Sequence, residues 1–517
     1  MLEADGEVGS PHSSDEAGQC RWSEGGDKLK SVGSRQLMFV FADNPTGGGN
    51  EEPDDVSLGK TYLLHQTEVK EASDPTVRAT DSDRLLERVA STGNLSRALL
   101  NVVRNQGAAG VDGKSVREIL AAAPKLLPSL QRELLSGKYL PGDIRRVWIP
   151  KPGGGQRGLG IPNVVDRWVQ QAVLQVLEPI FEPTFHNSSH GFRRQRGAAT
   201  AIAEAKRYLS EGYSITVDID LSKFFDRVHH QRLLSRLAGR IADGRILKLV
   251  HRMLKAHVVL PEGTRVTTEQ GTPQGGPLSP LLSNVVLDEL DWELSRRGHR
   301  FVRYADDFSV FVRSARAGRR VMASLGRFIA SRLRLVVNEA KSSVSQAYDL
   351  TFLGFHLGRN TQGAITVDVS SRTKQRLDRR IREMTPRTWG QSVTACLEGL
   401  SGYLRGWFGY FRICTEEGLR SFSRIDAHIR RRVRVIIMCH RKRRRHLYRH
   451  LLSRDVPPGV AAKTAFSRRG LWHRSISYGM HRAYPNDWFS QRLFNLDNAW
   501  QDLNAPPERA FKQLTLF

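Results

Sequence analysis

Cysteine is scarce: the 517 residues hold four, Cys20, Cys396, Cys414 and Cys439, widely scattered and without a C-x-x-C pair. That excludes a disulfide framework and the common zinc ribbons, and a reducing compartment is expected. No uninterrupted apolar run approaches the roughly 18 residues a membrane span needs, so a soluble chain is expected. Acidic residues are in deficit, with 53 Asp+Glu against 79 Lys+Arg, a formal net charge of +26 and a pI near 10.4. A balance of that sign calls for a polyanion, and by itself fits a nucleic-acid enzyme, a ribosomal-type binder, a membrane-surface protein or a merely solvated basic face. With 39% hydrophobic residues most of the chain can fold, and its length implies about three or four domains rather than one small binding module.

The charge is unevenly placed. Residues 1–80 carry 15 Asp+Glu and 7 Lys+Arg, so the remainder holds 72 basic and 38 acidic residues, a net of +34. Residues 1–60 are rich in Gly, Ser, Asp and Glu, with Gly47, Gly48 and Gly49 in a row, and read as a disordered leader. They carry neither a secretory signal nor an Arg-rich transit pattern. Within a helical extension at 61–143, Leu85, Leu86, Val89, Leu95, Ala98, Leu99, Val102 and Val103 recur at helical spacing, with Asn94 as N-cap of the second helix.

Ile144 to Pro162 (IRRVWIPKPGGGQRGLGIP) predicts two short strands around a basic, Gly-rich turn. Ser214 to Asp220 alternates strictly, with Ile215, Val217 and Ile219 on one face and Thr216, Asp218 and Asp220 on the other. Phe301 to Val312 (FVRYADDFSVFV) predicts strand, tight turn and strand, with an acidic pair at the turn. Carboxylates at apolar strand ends are costly unless something positive is bound. Two like charges about 4 Å apart repel by roughly 4 kcal/mol at an effective dielectric near 20. Oxygen donors without a His or Cys cluster suit magnesium, and two such ions clamp the attacking and leaving oxygens of an in-line phosphoryl transfer. An Asp pair alone also suits a plain turn, which Asp tolerates well.

The surrounding blocks weigh against the plain turn. Tyr304-Ala305-Asp306-Asp307 resembles the catalytic box of reverse transcriptases, in the Ala variant typical of those encoded by group II introns. VDIDLSKFFD (Val217–Asp226) resembles the first acidic motif, whose spacing to an aromatic is met by Asp220 with Phe225 and not by Asp218. QGTPQGGPLSPLLSN (Gln270–Asn284), the basic hairpin and FLGF (Phe352–Phe355) resemble further blocks of the same family, in the family's order. Gly158 stands where the family usually has Pro, and His190-Gly191-Phe192-Arg193-Arg194 lacks the usual flanking Tyr and Pro.

The resemblance covers about 82–450 and implies an α+β right-hand polymerase fold. It places fingers and palm at 144–365, a helical thumb/maturase domain at 366–452 and a DNA-binding tail at 453–517. It implies an RNA-directed DNA polymerase that binds intron RNA, assists splicing and copies the intron into DNA, without the C-terminal endonuclease of many relatives. A domesticated enzyme of phage defence or DNA repair, or an idle RNA-binding maturase, is the alternative. By the same resemblance two magnesium ions, with Mn2+ as substitute, are held by Asp220, Asp306, Asp307 and the Leu221 carbonyl. Lys151, Arg157, Phe225, Gln274 and Lys341 face the nucleotide, with Phe225 excluding a ribose 2′-hydroxyl and the first two neutralising the triphosphate. A core phenylalanine, a solvated basic turn and a surface lysine are the plainer readings of Phe225, of the Lys151–Arg157 pair and of Lys341. His229 and His230 are expected to pack or cap. The implied partners are intron RNA, an RNA template, a DNA primer or target, and dNTPs, in a bacterial cytoplasm without membrane contact.

Arg430, Arg431, Arg434, Arg441, Lys442, Arg443, Arg444 and Arg445 form a dense basic run that suits an import signal, but on helices next to a polymerase it reads better as an RNA-binding face. The apolar stripe Leu397, Leu400, Leu404, Trp407, Phe408 and Phe411 reads as core.

Overall fold

The computed structural model describes residues 84–150 and 154–504; the expected leader, residues 61–83, Lys151 and residues 505–517 lie outside the described residues. Helices Leu85–Ala90 and Thr92–Asn105 bury the apolar positions that their spacing predicts, except that Val103 is only half-buried. The N-cap of the second helix is Ser91, not Asn94: the Ser91 hydroxyl accepts the Asn94 N–H at 3.3 Å. Serine serves a cap as well as asparagine. Asn94 is thereby free to bury its amide, which donates to the Val89 and Ala172 carbonyls at 3.0 Å each and ties this helix to helix Val164–Phe181. A third helix, Val116–Leu135, starts at a reciprocal Ser115–Glu118 capping box.

The basic hairpin forms as expected from Ile144–Pro150 and Gln156–Ile161, with Trp148 opposite Gly158. Val258–Val259 joins it in parallel and Arg265–Val266 completes a four-stranded sheet. A second four-stranded sheet is antiparallel throughout, in the order Arg300–Tyr304, Asp307–Val312, Ile215–Ile219, Ser343–Gln346. The predicted alternation holds there. Ile215, Val217 and Ile219 belong to one apolar core with the N-terminal helices, Phe301, Phe308 and Val310, while Val302 and Phe311 belong to a second core. The sheet is the partition between the two.

Beyond the sheet, Phe352 and Phe355 pair across a two-residue turn whose Leu353 (φ 52°) and Gly354 (φ 86°) are both left-handed, as a tight hairpin of this twist requires. Helix Val393–Phe411 buries the expected stripe, except that Trp407 is only half-buried, against this hairpin and helix Glu416–His440, with the Phe355 and Tyr410 rings stacked at 5.7 Å. The helices from Pro458 onward share the same core. Phe489 is 1% exposed, the Trp500 indole donates to the Cys414 carbonyl at 2.9 Å, and Asp426 accepts the N–H groups of Leu496 and Asp497. The fold is α+β, as the resemblance implied, with fingers and palm followed by a helical region. Among the described residues no helix is long and apolar enough to cross a membrane.

Candidate active site

Register brings the acidic residues together. Ile219 pairs with Phe308 and Tyr304 with Asp307, so Asp220, one step past Ile219, lies level with Asp307 beside the turn Ala305-Asp306. Ala305 has φ 59°, a left-handed conformation that costs an L-residue about 1–2 kcal/mol. Asp218 projects from the same face as Asp220 but sits within the sheet, where it accepts the Ser309 hydroxyl. It is consumed by the structure, in line with the spacing argument that set it aside.

The site is short of positive charge. Burial first, and then the Asp220 carboxylate, raise the Asp306 carboxyl, although a backbone hydrogen bond, Arg157 and Arg303 pull the other way. Asp307 is pushed up to about 6 by desolvation and then by Asp306 and Asp220. Asp220 is fixed from behind: its amide donates to the Ser342 hydroxyl at 3.1 Å, its carbonyl accepts the Asn338 N–H at 2.8 Å, and its carboxylate accepts the Asn338 amide at 3.0 Å. Leu221 bridges Val337 next along the chain. The Lys341 ammonium approaches Asp220 to 3.9 Å, but Lys341 is 64% exposed, and such a surface pair contributes about 0–1 kcal/mol.

Among the described residues no three His, Cys, Asp or Glu side chains form a cage that could hold an ion alone. Magnesium does not need one, because it takes one or two carboxylates and completes its shell with water and phosphate oxygens. An all-oxygen donor set, mutual repulsion and the lack of a fixed cation between the carboxylates therefore fit a divalent ion.

What seats the turn escaped the sequence reading. Arg303, fully buried, forms a bidentate pair with the fully buried Asp291 of helix Ser279–Arg296, its Nε and a terminal nitrogen donating at 2.7 and 2.6 Å. The same guanidinium donates to the Ala305 carbonyl and the Asn284 side-chain oxygen at 2.9 Å each and to the Ser189 hydroxyl at 2.7 Å. The Asn284 amide donates to the Gly191 carbonyl at 3.0 Å. Residues 188–190 run beside Arg303 as an added strand: the Arg303 and His190 amides donate to the Ser188 and Arg303 carbonyls at 2.8 Å. A Cβ at Gly191 would lie 2.3 Å from the Ala305 nitrogen, so only glycine permits this approach. The His190-Gly191 segment, whose departures from the family pattern were noted, is thus a back wall of the acidic turn.

The other expected site residues gather from three directions. Arg157, exposed on the basic hairpin, is close enough to lower both Asp306 and Asp307, while Lys151 lies outside the described residues. The Gln274 carbonyl accepts the Gly160 N–H at 2.9 Å, which pins the glycine-rich loop to the same hairpin. The Phe225 carbonyl accepts the Thr272 N–H at 2.7 Å; its ring is half-buried and edge-on to the buried Phe224. The Phe225 ring is thus partly buried and packs against the first apolar core. His229 caps helix His230–Ala238 and His230 packs against the Gly271 carbonyl, both structural as expected.

The basic run divides. Arg441, Lys442, Arg443, Arg444 and Arg445 are exposed. Arg430 is half-buried, and Arg431 lies over the Trp472 ring at 4.0 Å while donating to its carbonyl. Arg434 departs from the expected RNA-binding face: it is 2% exposed and donates to the Tyr484 carbonyl. It stands within Val433–Met438, a wholly buried stretch of helix Glu416–His440, so its side chain points into the core.

Residues 149–357 match the family described as reverse transcriptase (RNA-dependent DNA polymerase), and residues 374–454 match the group II intron, maturase-specific domain. Protein YkfC of Escherichia coli (strain K12) is 34% identical over 330 residues, which cover 56% of this chain and 85% of that protein. The group II intron-encoded protein LtrA of Lactococcus lactis subsp. cremoris is 29% identical over 352 residues, 54% of this chain and 57% of LtrA. The putative COX1/OXI3 intron 1 protein of Saccharomyces cerevisiae is 35% identical over 165 residues, 32% of this chain and 20% of that protein. With both domains matched in this order over the acidic turn and the helices beyond it, the chain belongs to the group II intron-encoded reverse transcriptase and maturase family.

Proposed function

We propose that this chain is an RNA-directed DNA polymerase that extends a DNA primer on an RNA template, and that it binds a structured intron RNA whose splicing it assists. Asp220, Asp306 and Asp307, with the Leu221 carbonyl, would hold two magnesium ions. When bound, these supply Lewis-acid stabilisation of the attacking and leaving oxygens. The chain's own part is to position. Arg303 fixes the turn through the Ala305 carbonyl, and Asn338 and Ser342 fix Asp220. Arg157, with Lys151, neutralises the triphosphate from the fingers, Gln274 lines the nucleotide from its loop, and the Phe225 ring rejects a 2′-hydroxyl. Lys341, already beside Asp220, sits where pyrophosphate leaves.

The observation that carries this reading is the strand register that sets Asp220 level with Asp307 beside an electropositive hairpin. In domain terms, 144–365 is fingers and palm, 366–452 thumb and maturase domain, and 453–517 a tail that engages DNA. The exposed run Arg441–Arg445 supplies RNA phosphate contacts. The test is Asp306→Ala with Asp307→Ala. Magnesium-dependent cDNA synthesis on a primed RNA template is expected to vanish while RNA binding stays within about twofold; residual synthesis at the wild-type rate would refute the assignment.

A further inference from the structure

The acidic turn lies at one end of the hairpin Arg300–Tyr304/Asp307–Val312; the other end, where the two strands open, carries a feature that the polymerase reading leaves unused. There an open cavity of about 430 Å³ is lined by Arg297, His299, Arg300, Arg313, Arg320 and Tyr213 among others, and by no Asp or Glu. At about 3.4 Å per residue, the six steps from Asp307 to Arg313 put it roughly 20 Å from the acidic turn. It is too far to serve the nucleotide there.

The arginines divide by how they are held. Arg297 is fixed on the wall by Glu293 at 2.7 Å and Ser324 at 2.9 Å. Arg313 lies over the Tyr213 ring at 4.9 Å and makes a planar platform. Among the described residues Arg300 and Arg320 make no ion pair, and both are exposed. Their setting is electrostatically unfavourable. Helix Ala315–Phe328 begins beside the cavity with no acidic residue in its first turn, yet it carries Arg316, Arg319 and Arg320 near its positive end. A cation in the first turn of a helix opposes the helix dipole, so the Arg316 charge there is unfavourable until an anion arrives.

We propose that this cavity docks the backbone of a folded RNA, receiving a looped-out nucleotide whose phosphates are held by Arg300, Arg313 and Arg320. The size and the Tyr213–Arg313 platform favour an unpaired nucleotide over a flat duplex, because RNA is read through splayed bases stacked on aromatic rings and guanidinium planes. The inference rests on the RNA-partner reading above and names where on the palm that partner is gripped.

The experiment uses the full chain with Arg300→Gln, Arg313→Gln and Arg320→Gln together, and a parallel triple Arg→Lys variant. Binding of a labelled stem–loop RNA and of a DNA duplex is measured across a salt series, with primer extension on a short primed RNA as the control for folding. The Gln variant is expected to bind the stem–loop at least tenfold more weakly, with the slope of log affinity against log salt reduced by about 2–3, since each phosphate contact contributes about 0.7–0.9. Its short-template extension and duplex binding stay within twofold of wild type, and the Lys variant recovers most of the slope.

An unchanged slope, an equal loss on the DNA duplex, or a parallel fall in short-template extension overturns the proposal. If the wild-type chain itself fails to bind the stem–loop, the RNA-partner reading falls and takes this one with it. If wild type binds and the Gln variant matches it, only this inference falls.

Discussion

Arg303 in the palm and Arg434 in the C-terminal helical region are both buried, at 0% and 2% exposure, yet the chain accommodates them by opposite means. Arg303 meets a carboxylate, Asp291, that is itself fully buried, and spends its remaining donors on an amide oxygen, a hydroxyl and a carbonyl. Among the described residues Arg434 meets no carboxylate; it donates to the Tyr484 carbonyl, approaches the His481 ring nitrogen at 3.4 Å, lies over the Phe489 ring at 5.2 Å, and burial followed by the nearby Arg430 charge pushes it down to about 10. The difference shows what each region is built for. A full ion pair with every donor used fixes one geometry, and here the geometry is that of the acidic turn. A guanidinium held by one backbone oxygen and the His481 ring nitrogen joins neighbouring helices and fixes nothing beyond them.

The contrast breaks most sharply at the palm. Arg303→Met leaves Asp291 buried without its partner, and stability is expected to fall by about 3–5 kcal/mol, read as a drop in the urea midpoint. Arg303→Met with Asp291→Leu removes both charges and is expected to recover most of that stability. Its cDNA synthesis stays at least about 100-fold down, because the Ala305 carbonyl has lost its anchor and a small misplacement of reacting groups is that costly. Recovery of activity along with stability would reduce Arg303 to a packing element. Arg434→Met is the matching change in the second region. It leaves one carbonyl under-satisfied, at a cost of about 1–3 kcal/mol, with primer extension unchanged per folded molecule.

The smallest effect is a pH dependence of stability in the second region. Asp426 accepts two backbone N–H groups, but desolvation pushes its carboxyl up to about 6. A folded-state value above the unfolded one means that the folded chain binds the extra proton. Stability from this group is therefore present below about pH 4 and is lost as pH rises through about 6. Asp426→Asn cannot titrate, so its melting temperature relative to wild type is expected to shift upward by about 1–3 °C between pH 4 and pH 7. A difference that stays flat with pH would remove Asp426 from this role.

How much of this could be read in advance follows from the same physics. The acidic strand and hairpin were legible because alternation and a tight turn leave a local signature, and Asp220, Asp306 and Asp307 fall where that signature puts them. The hold on Arg303 was not, since its partners lie at 189, 284 and 291 and only the tertiary fold unites them. One faint signal existed: Asp291 shares a helical stripe with Leu287 and Leu294, and Arg303 shares a strand phase with Phe301, so two opposite charges occupied apolar positions. Arg434 was misjudged because a run of arginines looks uniformly wet. The apolar residues from Val435 to Met438 that follow it were the better guide. Ser91 was passed over for Asn94 because both side chains can cap, and only burial of the amide decides between them.

The missing side chain at position 191 carries one more implication. Since Gly191 touches the backbone behind the acidic turn, that spot works as a feeler gauge. A single methyl there would wedge the hairpin outward without touching any carboxylate. A chain so altered would have to shift the backbone of Tyr304 and Ala305, and with it the acidic turn, by a fraction of an atom's width.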